Sequence, residues 1–96
     1  MPYYPKSNFK LIGFKKSKTR DKMYDAVLLN PHIKKVVFVP FGSTLYENYQ
    51  DLTELNLYPN LIHGDSKRRK AYRARAKHNL KEGYYSPSYF SYFYLW

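Results

Sequence analysis

Apolar and polar positions change their period about halfway along the chain. In the first half they alternate in short runs. Phe9 to Phe14 predicts a first strand, with Phe9, Leu11 and Gly13 on one face. In Lys22 to Leu29, Tyr24, Ala26 and Leu28 alternate with Asp25, Val27 and Leu29, which predicts a second. Lys34 to Val39 contains Val36-Val37-Phe38-Val39, the most β-prone run in the chain, and Pro40 and Gly42 are expected to end it. The basic stretch Lys15 to Arg20 and the Asn30-Pro31-His32 signal fall between these runs as turns. Short strands joined by short turns predict an antiparallel sheet of about three strands.

The second half follows a helical period. Ser43 or Thr44 is placed to cap a short helix through Tyr46, Tyr49 and Leu52. Residues 53–63 form a loop with embedded leucines. Asp65 or Ser66 caps a helix expected to run to about Leu80, with Gly83 as its stop. Ser86-Pro87 has the cap-plus-first-turn-proline form that opens a last helix. On it Tyr89, Tyr92, Phe93 and Trp96 share one face, expected to be largely buried against Val36, Phe38 and Leu28. The predicted fold class is α+β: a small N-terminal antiparallel sheet, a basic helix and a C-terminal aromatic helix. It is one domain over residues 1–96, with residues 1–8 as a Pro/Tyr-rich arm.

The 96 residues carry a formal net charge of +10, which implies an acidic partner. The charge is unevenly spread. Residues 1–35 hold nine Lys/Arg against two Asp, residues 36–66 hold four carboxylates and no Lys/Arg, and residues 67–96 hold eight Lys/Arg against one Glu. The absence of cysteine excludes disulfides, thiolate metal sites and thiol nucleophiles, and fits a reducing compartment. His32, His63 and His78 form no ligand spacing. Met1 to Lys6 lacks the apolar run of a signal peptide, and no stretch approaches the roughly 18–20 apolar residues of a membrane span.

Lys67, Arg68, Arg69, Lys70, Arg73, Arg75 and Lys77 make the principal candidate site, a cationic helix for nucleic acid or an acidic protein. Its first turn carries cations where the helix dipole disfavours them, an arrangement that folding alone would not select. A solvated basic face is the plainer reading. Lys15, Lys16, Lys18 and Arg20 form a second candidate, a phosphate-contacting finger or a solvated turn. Residues 84–96 hold eight aromatic side chains, and Tyr89, Tyr92, Phe93 and Trp96 are the candidate anchors. Aromatics at helical spacing are usually core. A stacking platform for single strands interleaves cations with rings, and residues 84–96 contain no Lys or Arg. The five tyrosine hydroxyls there need partners if buried, which favours a wet protein interface. No phosphate-binding glycine loop, zinc spacing or nucleophile elbow is present, so neither catalysis nor a cofactor is expected. Asp21/Asp25 and Glu47/Asp51/Glu54 are the only carboxylate groupings, and they are not expected to converge on a metal.

Several segments resemble a small family of uncharacterised basic proteins of giant viruses and related large DNA viruses. They are Lys22-Met23-Tyr24-Asp25-Ala26-Val27-Leu28, Pro40-Phe41-Gly42 and Tyr46-Glu47-Asn48-Tyr49-Gln50-Asp51, followed by Lys67 to Arg75 and Tyr85 to Trp96. The resemblance spans roughly residues 20–96, and the Arg-rich helix and the terminal Ser-Pro-x-Tyr-Phe-Ser run are its most specific parts. Family members commonly carry His where this chain has Ala76, so no imidazole chemistry follows there. The resemblance implies no activity. It implies a viral setting: the virion, and the host cytoplasm during assembly. Two roles fit that setting. One is a minor structural protein bridging viral capsid or core proteins. The other is a sequence-independent binder or packager of DNA or RNA.

Overall fold

The structure, a computed structural model, describes residues 3–96. Its elements are β1 (Tyr4–Pro5), β2 (Lys10–Lys16), β3 (Lys22–Asn30), β4 (Lys35–Ser43), a 3-10 turn (Pro59–Leu61) and α1 (Ser66–Ala76). A 3-10 turn (Lys77–Asn79), β5 (Tyr84–Tyr85), α2 (Pro87–Phe90) and a π turn (Ser91–Leu95) complete the chain. The fold is α+β, as expected. β2-β3-β4 form an antiparallel sheet, and β1 and β5 form a separate two-stranded one.

The alternation in β3 sets the core. Tyr24, Ala26 and Leu28 are fully buried and pair with Phe41, Val39 and Val37 of β4. On β2 the expected face does not hold. A bulge falls between Leu11, opposite Leu28, and Gly13, opposite Val27, so Phe14 rather than Gly13 faces inward, opposite Ala26. β4 does not stop at Pro40. It is an edge strand, with a side where a missing N–H breaks no ladder, and it runs on to Ser43. Gly42 adopts φ 73°, and a Cβ there would lie 2.8 Å from Leu95 Cδ1. The glycine lets the C-terminal segment approach the sheet.

Two further expectations are corrected. Residues 43–52 form no helix, because their backbone groups are claimed by distant partners. Asn48 N–H donates to the Leu61 carbonyl, Tyr49 and Gln50 N–H to that of Leu95, and Leu52 N–H to that of Tyr94. α1 ends at Ala76 and tightens into a 3-10 turn before Leu80, ahead of the expected end; Gly83, at φ 82°, serves the turn into β5. The Pro/Tyr-rich N-terminal arm is paired from Tyr4 on. Tyr4 and Pro5 pair with Tyr85 and Tyr84, and Lys6 N–H donates to the Gly83 carbonyl. Met1 and Pro2 lie outside the described residues.

The aromatic terminus packs on the inner face of the sheet through a set of residues that shares only Trp96 with the predicted one. Phe90 and Leu95 are fully buried and Trp96 nearly so, while Tyr89 and Tyr92 are half-buried and Phe93 is exposed. The expected 3.6-residue period fails because one α turn passes into a π turn, which brings Phe90 and Leu95, five apart, to the same side. Phe90 meets Phe41 at 5.5 Å between ring centroids, and Tyr94 meets Phe14 at 4.8 Å. Of the expected sheet partners only Leu28 lies in the core. Val36 and Phe38 point to the other face of the sheet, 44% and 50% exposed.

Candidate functional site

α1 begins on a satisfied cap. Asp65 Oδ1 accepts from the N–H groups of Lys67 at 2.9 Å and Arg68 at 3.3 Å. This carboxylate offsets the unfavourable placement of cations in the first turn. Three of the seven candidate cations on this segment find partners elsewhere in the chain, Arg68 at the surface and Arg69 and Arg73 on the inner side. Arg68 pairs with Glu47 at 2.9 Å. Arg69 Nε donates to the Trp96 main-chain oxygen at 2.7 Å, and its guanidinium lies 4.9 Å from the Tyr49 ring centroid. Arg73 donates to the Tyr92 carbonyl at 3.3 Å and lies 4.1 Å over the Tyr92 ring. The last turn of any helix leaves carbonyls without intrahelical partners. Here Arg69 and Arg73 serve those of the C-terminal segment, together with the N–H groups of residues 49, 50 and 52. Tyr72 completes the clamp by stacking on Trp96 at 4.2 Å and 11°.

Lys67, Lys70, Arg75 and Lys77 remain exposed, with no ion-pair partner among the described residues. They form the outward cationic surface of the helical layer. A shallow groove of about 400 Å³ beside them is lined by Ser66, Arg69, Lys70 and Arg73. The second candidate group divides. Lys15 is held on the outer face of the sheet, 3.4 Å from Asp25 and 4.6 Å over Phe38, while Lys16, Lys18 and Arg20 are exposed. Arg20 reaches only Asp21, at 3.8 Å. Lys15 is thus separated from the α1 cations by the sheet.

Sequence reasoning missed Lys6 and Lys81. Pairing of β1 with β5 sets Lys6 Nζ 4.2 Å over Tyr89 and 5.6 Å over Tyr85, and Lys81 Nζ lies 4.6 Å over Tyr84 and 5.2 Å over Tyr3. With Arg73 over Tyr92, cations do interleave with the C-terminal rings. They lie outside residues 84–96, Lys6 and Arg73 well upstream and Lys81 just before them, so the composition of that segment carries no signal of them.

Burial pushes the phenols of Tyr72, Tyr85 and Tyr94 up, with Arg75 opposing the shift at Tyr72. Tyr24 is pushed up to about 12 by burial and by its hydrogen bond to Asp51. Among the described residues no group of three or more His, Asp or Glu is placed to hold a metal ion. Glu47 is engaged by Arg68, Asp51 by Tyr24 and Thr53, and Asp25 by Lys15 and Ser17. Among the described residues no helix is long and apolar enough to cross a membrane. No protein-family model, curated protein or solved structure matches the chain.

Proposed function

We propose that this chain is a non-enzymatic minor structural protein of a large DNA virus particle, bridging acidic neighbours in the capsid or core. The observation that carries this reading is the open face of the sheet. Antiparallel sheets with one solvated face usually present polar residues there. Here the outer face presents the cross-strand pairs Val27–Phe38 and Leu29–Val36, with Lys10 and Lys15 beside them. An apolar patch rimmed by lysines suits a protein surface whose own apolar patch is rimmed by carboxylates. Across the sheet, the helical layer offers Lys67, Lys70, Arg75 and Lys77 to a second acidic surface. Two unlike faces on opposite sides of a small body suit a bridge, and the resemblance in sequence supplies the viral setting. The Phe38→Ser variant is expected to keep its fold, since the ring is half exposed, and to lose incorporation into particles. Normal incorporation of a folded Phe38→Ser protein would remove the sheet face from the proposal.

One observation favours a second reading, a sequence-independent nucleic-acid binder. The cations set over the C-terminal rings have the interleaving that single-strand binding uses. Its mark is affinity for DNA or RNA that falls steeply with salt.

A further inference from the structure

Of the eight aromatic residues after Gly83, Phe93 alone is exposed, at 43%. It is nevertheless held in place. Tyr89 lies 4.8 Å away at 49° and Tyr92 4.9 Å away at 69°. The part of Phe93 that these two rings leave uncovered is available to a flat partner. Phe93 borders a groove of about 350 Å³, within the size range that holds small-molecule units, and Lys6, Lys77, Lys81, Glu82 and Tyr89 line it too. Lys77 is exposed and unpaired among the described residues, at the point where α1 passes into its 3-10 turn. A rigid exposed ring beside several ammonium groups matches a nucleotide better than an acidic peptide. A carboxylate would use the lysines and leave the ring without a partner. A base would use both, and its exocyclic amino groups could donate to Glu82. A duplex hides its base faces, so the ring selects an unpaired strand.

We propose that this groove is a single-stranded nucleic-acid site, in which Phe93 stacks on an unpaired base while Lys77 and Lys81 neutralise the flanking phosphates. The proposal rests on the nucleic-acid reading above and gives it a location. The test is fluorescence anisotropy with a labelled single strand, the matching duplex and an abasic strand of equal length. Each is titrated over a range of salt with the full chain, Phe93→Ala and Lys77→Ala, and circular dichroism checks the fold of each variant. Phe93→Ala should weaken single-strand binding by about fivefold or more, with little change in salt slope and no effect on the abasic strand. Lys77→Ala should reduce the salt slope by about 0.7, the loss of one phosphate contact. If the strands bind and Phe93→Ala changes nothing, or weakens the abasic strand equally, the site is wrong while the nucleic-acid reading stands. Capture of the duplex as tightly as the single strand would also overturn the site. If no strand binds even at low salt, the nucleic-acid reading falls, and the site with it.

Discussion

Tyr24 ties the sheet to the loop that follows it. Its hydroxyl donates to Asp51 and accepts from the Leu57 N–H, and Asp51 also accepts from the N–H and hydroxyl of Thr53. Between these anchors Glu54 and Asn56 hold left-handed backbone at φ 72° and 49°, which non-glycine residues adopt only with support. Burial and the Asp51 bond raise the phenol to about 12, against about 10 in an unfolded chain. The sign follows from the raised value. The folded state holds the proton more tightly, so the associated stability is fully present below pH ~10 and is lost as pH rises toward ~12. Denaturant midpoints should therefore fall across that interval, with Tyr24 contributing on the order of 3 kcal/mol. Tyr24→Phe should be less stable at neutral pH by about 1.5–3 kcal/mol, because Asp51 and the Leu57 N–H lose their partner. Its alkaline decline should be shallower, with a remainder from Tyr72, Tyr85 and Tyr94, whose phenols burial also raises. An unchanged decline in Tyr24→Phe would place the linkage elsewhere.

At the scale of elements, α1 is a clamp with a charged back. Its inward arginines hold the carbonyl end of the C-terminal segment, and its other cations face out. Removing Arg69 frees the Trp96 main-chain oxygen and uncovers the Tyr49 ring, so Arg69→Ala should cost about 2–3 kcal/mol. Lys67→Ala, Lys70→Ala and Lys77→Ala should each stay within about 0.5 kcal/mol of the parent. Thermal or denaturant unfolding of the four variants measures the contrast, and equal costs for all four would contradict the clamp. Both helix starts were legible, because Asp65 and Ser86 cap through local bonds to N–H groups two or three residues on. The π turn was not. It follows from where Leu95 must sit against Gly42, a long-range demand that local periodicity does not carry.

For the whole molecule, the aromatic end is core along one side and surface along the other. Deleting Tyr92 to Trp96 removes buried Leu95 and Trp96 and the main-chain acceptors for Arg69, Arg73 and residues 49, 50 and 52. Truncating one buried large side chain typically costs about 2–5 kcal/mol, against a total stability of roughly 5–10 kcal/mol for a domain of this size. Circular dichroism of the deletion should show an unfolded chain. A folded deletion would mean that the sheet is stable without its cover and that the terminus serves assembly alone.

The strands of the three-stranded sheet, the two helix caps, the basic character of α1 and the α+β class were legible because each rests on neighbours within a few residues, whereas the pairing of β1 with β5 was not. The inner face of β3 was legible too, since Tyr24, Ala26 and Leu28 alternate with Asp25. In Val36-Val37-Phe38-Val39 every position is apolar, so alternation could not say which residues face the core. The bulge in β2, the failure of the helix at residues 43–52 and the exposure of Phe93 came from tertiary pairing. The same holds for the candidate sites. Sequence located the cations of α1, but contacts across the fold decided which of them clamp and which face out, and brought Lys6 and Lys81 to rings about eighty residues away. The physical reason is range. Caps, turns and strand alternation act over a few residues, whereas the role of a cation depends on which carbonyl, carboxylate or ring the closed chain sets beside it.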